Sequence, residues 1–425
     1  MRDVRLTTEA EGGGWVCCQL GAREHYVVPR VLHRTRRLSA LVTDFWLSPG
    51  TLVRSIGPHR LADRFHPELA DAPVIGLNRA SIAFEGWNAL RRHNAWSLMI
   101  RRNEWFQRKA LAEVTRVARC SPKNRVRLFS FSYAARHLLA FAKSEGWVTM
   151  LEQIDPGPVE EEIVADIHRQ HRDLAGSWQR APSEYWRDLD EEWSLADRII
   201  VNSQWSMRAL IRRGVPQQKI RLIPLAYDAP AEAARFQRTY PTIFTSERRL
   251  RVLFLGLVNL RKGLAAILDA MKLVEREPVE FWFVGPIQMR VPARWRNAPN
   301  TKWIGGVPRS DAKEYYKNAD VFLFPTLSDG FGLTQLEAQA WQLPVIASQF
   351  CGDVVRDGIN GLVLDEVSGR AIADAIRSLI AQPERLPTMS ANSVAGQFRS
   401  ANLMASLEQA ADISCASQAY HPQVY

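Results

Sequence analysis

Phe324-Pro325-Thr326-Leu327-Ser328-Asp329-Gly330-Phe331-Gly332-Leu333-Thr334-Gln335-Leu336-Glu337-Ala338 is the stretch on which the fold is read. An apolar run, Val321–Phe324, stops at Pro325, which has no N–H to give to a strand ladder. A glycine-bearing loop follows, and apolar residues then recur at helical spacing over Leu333–Trp341. Strand, glycine loop and helix in that order make the unit of a parallel sheet covered by helices. Ligands of such sheets bind outside the carboxyl ends of the strands, which places a site at this loop. Gly330 and Gly332 leave room for close backbone approach, and first-turn helix amides attract anions. Asp329 and Glu337 are expected to border one pocket, and a carboxylate can accept from both hydroxyls of a vicinal diol. A sugar or a ribose carries that diol. A dinucleotide fingerprint fits poorly: Gln335 stands where the third glycine belongs, and Asp329 would repel a pyrophosphate.

The same alternation runs outward in both directions. Before it, Trp15–Leu20, Ser39–Thr43, Val126–Phe131, Trp147–Ile154, Arg198–Val201 and Lys219–Pro224 read as strands. Ala134–Glu145 and Trp205–Arg213 read as helices, the second capped by Asn202-Ser203, and Val159–Trp193 as a charged helical stretch. Between Tyr227 and Arg249 the pattern lapses into Ala, Pro, Thr and charge. A second series follows: strands Leu250–Leu255, Val279–Val284 and Pro344–Ala347, with helices Leu264–Val274, Ser310–Asn318 and Val367–Ile380. The fold class is therefore α/β, with two doubly wound Rossmann-like domains facing each other across a cleft. The domains are 1–228 and 250–385, joined by a linker at 229–249. A helical tail at 386–425 is expected to pack back toward the first domain.

A second anion site is read in Gly256-Leu257-Val258-Asn259-Leu260-Arg261-Lys262-Gly263. It lacks the spacing of a P-loop. Alone, Arg261 and Lys262 read as solvated surface cations; beside the first motif they suit a diphosphate.

Composition narrows the function. The chain has 425 residues, 46% hydrophobic and 24% charged, with a formal charge of +10. No apolar run approaches the ~20 residues of a membrane span. The polar start Met1–Arg5 predicts no signal peptide, and the five cysteines, Cys17 and Cys18 adjacent and the other three scattered, form no metal or disulfide spacing. A cytoplasmic location, with no cofactor and no metal, is expected. Residues 1–150 carry 24 basic and 12 acidic side chains, so the basic excess lies in the first third. Nucleic acid is not expected as a partner.

These residues resemble the retaining family-4 (group 1) glycosyltransferases of the GT-B fold. The resemblance rests on the acidic pair Asp329 and Glu337 with seven residues between, set in Gly-Phe-Gly-Leu and Leu-Glu-Ala. Arg261-Lys262-Gly263, Phe283-Val284-Gly285-Pro286 and Asp357-Gly358-Ile359-Asn360-Gly361 support it. It implies a nucleotide-sugar co-substrate bound by the second half. Glu337 would hold the ribose, and Asp329 with the backbone of Gly330, Phe331, Gly332 and Leu333 the donor sugar. Arg261 and Lys262 would meet the departing diphosphate; Gly256, Gly306 and Val307 would flank the donor. The implied reaction is retaining and metal-independent, in bacterial polysaccharide or glycolipid assembly. A silent nucleotide-sugar binding protein, or a GT-B epimerase, is the alternative.

Three departures stand out. Asp329 replaces the commoner Glu, and Leu257 stands where many members have Arg. Asp155, before Pro156, occupies the region of the family's acceptor-domain His; it reads equally as the substitute and as a turn former. The loop Gly21-Ala22-Arg23-Glu24-His25 faces the cleft in such enzymes, making Gly21, Arg23, Glu24 and His25 candidate acceptor contacts. Finally, Trp96–Arg127 is basic and amphipathic. It reads as a domain helix with its apolar face inward, or as a surface helix on an anionic membrane with Trp105 as anchor, which suits a lipid-linked acceptor.

Overall fold

The computed structural model describes residues 13–49, 63–91, 93–119 and 126–413. The Met1–Arg5 start, residues 120–125 of the basic stretch and the tail from 414 onward lie outside them.

Two parallel sheets carry the fold. The first holds β1 (Trp15–Gln19), β2 (Leu38–Thr43), β3 (Val74–Gly76), β4 (Arg127–Phe131), β5 (Val148–Gln153), β6 (Arg198–Val201) and β7 (Ile220–Leu222), in the order β3-β2-β1-β4-β5-β6-β7. The second holds β8 (Leu250–Leu255), β9 (Val279–Val284), β10 (Thr301–Gly305), β11 (Val321–Phe324), β12 (Val345–Ser348) and β13 (Gly361–Leu364), in the order β10-β9-β8-β11-β12-β13. Every strand pair is parallel. Strands covered by helices on both faces must be apolar throughout; β1 and β11 are buried at every position. In each sheet the chain winds outward one way and then returns to start again beside its first strand. The reversal falls between β1 and β4 and between β8 and β11, and a crevice opens at such a point. The loops after β1, β8 and β11 all end there.

The second domain's core is layered on both sides of its sheet. Helices Leu264–Leu273 and Gly369–Ala381 bury Ile267, Met271, Ile372 and Ile376 on one face, while Tyr316, Ala338 and Trp341 close the other. The linker is not slack: the Arg238 guanidinium donates to the carbonyls of Tyr316 (2.6 Å) and Trp341 (2.9 Å). After the second domain the chain returns, and helix Leu403–Ala411 buries Leu407 and Ala410 with Val31 and Leu32 of helix Val27–Arg34.

The domains meet at the glycine loop. A Cβ on Gly330 would lie 2.1 Å from the Ile154 carbonyl oxygen at the end of β5. Trp205 donates its indole N–H to Ser328 Oγ at 3.1 Å, from the start of helix Gln204–Arg212. A second approach puts Gly176 against the Gln288 carbonyl, with the Arg290 amide bonded to Leu174 O at 2.9 Å.

Two readings need correcting. The stretch Val159–Trp193 is two helices, Pro158–Gln170 and Ser183–Leu195, separated by a loop that reaches the second domain. The basic helix, Ala95–Arg119, buries Phe106, Ala110, Val114 and Val117 in the first domain's core. Trp105 stacks on Phe84 with ring centroids 4.8 Å apart. A membrane-lying helix needs that stripe free, so the inward-facing reading holds and Trp105 is no anchor.

Candidate functional site

The cavity at the crevice has a volume of about 640 Å³. Gly21, Arg23 and Glu24 line it from the first domain, and Gly256, Arg261, Lys262, Asp329, Phe331, Gly332 and Leu333 from the second. Asn259 builds the cationic corner: its side chain accepts from the Lys262 amide at 3.1 Å, capping the short turn Leu260–Lys262. Gly263 follows with φ 81°, and a Cβ there would meet the Pro325 carbonyl oxygen at 2.0 Å. The β8 loop thus lies directly on the β11 loop, which is why Lys262 and Asp329, far apart in sequence, touch.

Lys262 Nζ donates to Asp329 Oδ2 and sits over the Phe324 ring. Its side chain is 12% exposed. Burial, and after it the adjacent Arg261 guanidinium, pushes the Lys262 ammonium below its ordinary range. Contact with the Asp329 carboxylate works the other way. Arg261 donates to the Ser328 carbonyl at 2.8 Å and to Glu160 at 3.3 Å; Ser328 Oγ also donates to Glu160 at 2.9 Å. The two cations therefore stand paired with two carboxylates, one from each domain. Glu160 escaped the sequence reading because its partner arrives from a strand loop 101 residues away.

Several expected site residues are placed elsewhere than the spacing suggested. Glu337 does not line the cavity with Asp329. It lies one turn beyond Leu333 in helix Leu333–Ala340, accepting from Tyr316 Oη at 2.8 Å and Arg309 at 3.1 Å. Gly330 makes its close approach to Ile154 of the first domain. Gly332, at φ 84°, is needed because a Cβ would strike the Phe324 ring. Gly306 and Val307 follow β10 outside the cavity wall, Gly306 facing Pro286. Asp155 lines a neighbouring cavity. Its Oδ1 accepts from the Gly157 amide (2.9 Å), Tyr133 Oη (2.5 Å) and Gln153 (3.2 Å), the bonding of a turn former.

The acceptor-side loop is unusual. Glu24, His25 and Tyr26 have φ of 49°, 52° and 60°, three consecutive non-glycine residues in the left-handed region. Such residues cost of order 1 kcal/mol or more each and persist where surrounding structure imposes them. Nothing in the sequence signals it, since no glycine occupies these positions. The turn carries His25 across to Arg309, whose other nitrogen reaches Glu337. Burial, with Arg309 next, pushes the His25 imidazole down to about 4. Behind it, burial raises the Glu24 and Glu152 carboxyls, and the two are joined side chain to side chain. Beside burial, the charge of Glu24 raises the Glu152 carboxyl further, as expected of two carboxylates sharing one site.

Residues 249–382 match the family model for glycosyl transferases group 1. A D-inositol 3-phosphate glycosyltransferase of Segniliparus rotundus is 30% identical over 48% of this chain and 49% of its own. The capsular polysaccharide biosynthesis glycosyltransferase CapM of Staphylococcus aureus is 40% identical over 19% of this chain and 22% of its own. The matched stretches thus cover about half the length of these curated relatives, or less. In fold the chain resembles Anabaena Alr3699/HepE in complex with UDP-glucose, with a TM-score of 0.57 at 14% identity over 93% of this chain and 98% of the other. The two-sheet architecture is GT-B.

Proposed function

We propose that the chain is a glycosyltransferase that moves a sugar from a nucleotide-diphosphate donor to an acceptor hydroxyl, a reading supported by the match of residues 249–382 to the glycosyl transferases group 1 model and by the GT-B fold. The observation that carries this reading is Arg261 and Lys262 held together at the crevice, with Asp329 in contact. The bond from the anomeric carbon to the phosphate oxygen breaks and the acceptor oxygen takes its place. Negative charge grows on the leaving diphosphate, and cations fixed in advance stabilise it without reorganising. In the retaining course, the departing phosphate oxygen takes the acceptor's proton on the same face of the sugar, so no protein nucleophile is required. No metal enters this scheme, because the two side-chain cations meet the diphosphate.

Asp329 accepts from the donor sugar, and Glu337 from the ribose once Arg309 and Tyr316 yield. The acceptor is a glycan, free or lipid-linked, in surface-polysaccharide assembly at the cytoplasmic side; the relative named for capsular polysaccharide supports this. Any contact of the basic stretch Trp96–Arg127 with an anionic surface would be electrostatic, since the helix Ala95–Arg119 buries its apolar stripe. A catalytically silent nucleotide-sugar binder is the competing reading. It predicts no slow hydrolysis of a bound donor in water.

A thermal-shift panel of UDP-, GDP-, ADP- and CMP-sugars tests the donor site. A donor at a hundred times its Kd stabilises the native state by about 2.7 kcal/mol. One nucleotide class should shift the wild type and not Glu337→Ala. No shift with any of them would overturn the assignment.

A further inference from the structure

We propose that the cavity between helices Pro158–Gln170 and Ser183–Leu195 is a carbohydrate-ring subsite for a sugar unit of the acceptor, an assignment that rests on the glycosyltransferase reading. Its volume is about 490 Å³, within the range of small-molecule sites. Six half-buried rings line it: Trp96, Tyr133, His168, Trp178, Tyr185 and Trp186. They converge from separate segments of the chain, so the cluster is not one helix face turned outward.

The rings are held in place before any ligand arrives. Tyr133 and Tyr185 stack with centroids 4.8 Å apart and planes 5° from parallel, and Trp96 meets Tyr185 edge-on at 5.0 Å. His168 stacks on Trp178 at 5.1 Å. The Trp186 indole N–H donates to Glu161 at 3.0 Å, and that of Trp96 to the Gln179 carbonyl at 3.0 Å. Tyr133 itself is strained, with φ 76°. Glu192, 1% exposed, clamps that turn by accepting the amides of Tyr133 (2.7 Å), Ala135 (2.7 Å) and Arg136 (3.1 Å). Backbone kept in a costly conformation clusters at binding and active sites, and here it borders the cavity.

The chemistry of the lining selects the ligand. Aromatic faces carry the negative part of their quadrupole and attract the C–H groups on the face of a pyranose. Asp155, Glu160 and Glu161 stand between the rings and accept hydroxyls. Three carboxylates against the single guanidinium of Arg261 disfavour an anion, and a purely apolar ligand would leave the carboxylates' remaining acceptor capacity unused. A neutral polyhydroxylated ring satisfies both halves of the wall. Arg261 lines this cavity and also the one that holds Asp329 and Lys262, so a sugar seated here adjoins the donor.

The test is saturation-transfer NMR on the full chain with glucose, galactose, mannose, N-acetylglucosamine, maltose and cellobiose. It runs beside the nucleotide-sugar thermal-shift panel. At least one saccharide should bind the wild type, and Tyr185→Ala should weaken it about tenfold, the loss of one stacking partner. Tyr185→Phe should keep the binding, and the nucleotide shift should survive in both. Trp96→Ala, on a different helix, should weaken the saccharide similarly and decides the matter if Tyr185→Ala does not fold. No saccharide bound by the wild type, or undiminished binding in a folded Tyr185→Ala or Trp96→Ala, overturns the subsite. Saccharide binding that depends on Tyr185, with no nucleotide shift in the wild type, upholds the subsite and removes the donor reading instead.

Discussion

Replacing Lys262 with methionine keeps the stem that covers Phe324 and removes only the charge. The size of the effect follows from the site. A leaving oxygen entering where Asp329 now sits comes within about 4 Å of Nζ, where a unit charge at an effective dielectric near 20 interacts by about 4 kcal/mol. If the bond to the sugar is half broken in the transition state, about half of that is gained there and not in the ground state. Some 2 kcal/mol corresponds to about a thirtyfold fall in kcat. The diphosphate's existing charge adds a rise in KM. The assay is release of nucleoside diphosphate from the donor found in the thermal-shift panel, with kcat and KM fitted separately. Asp329 is not orphaned in the variant, because Arg261 stands 3.9 Å from it. The double variant Lys262→Met/Asp329→Asn restores the charge balance and should recover KM but not kcat. A raised KM with kcat unchanged in Lys262→Met would refute the reasoning, since it would mean that Lys262 binds donor and transition state alike.

Gly330→Ala places a methyl 2.1 Å from the Ile154 carbonyl oxygen, and overpacking of that kind costs about 1–3 kcal/mol; urea unfolding should show it, and a midpoint equal to wild type would show that the domain contact is loose. His25 makes stability depend on acid. The unfolded chain takes up its proton near the ordinary 6.5 and the native chain only near 4, so stability should fall as the pH drops from about 6.5 through about 4, with no contribution above that window. Protonated His25 also faces Arg309, so His25→Gln should flatten this part of the stability–pH curve, and an unchanged curve would count against the contact.

Three strands of the second domain, Leu250–Leu255, Val279–Val284 and Val321–Phe324, end in the structure where the sequence reading ended them. Each is a mostly apolar run, broken at most by one charge (Arg251 or Glu280), and stopped by Gly or Pro, a signal that leaves little choice. β3 and β13 went unread because three or four residues at a sheet edge carry almost no pattern. Helix Asn78–Ala89 went unread because Ile82 and Trp87 point outward, so it shows no apolar stripe. The site was legible as a set of loops and not as a set of contacts. Spacing set Asp329 and Glu337 with seven residues between them, but could not show that Arg309 and Tyr316 bind the Glu337 carboxylate. Glu160, Tyr185 and Trp186 sat inside a stretch read only as charged and helical, because partners such as Arg261, Tyr133 and Trp96 come from other segments.

Helix Leu403–Ala411 lies in the core of the domain that the chain left 150 or more residues earlier. The two halves are therefore tied by two polypeptide crossings, and neither is a contiguous module. A chimera that exchanged donor domains by splicing after 249 and simply ending near 385 would leave Val31 and Leu32 without their cover. An exchange that respects the architecture is an insertion, with the native 386–413 retained as part of the acceptor half.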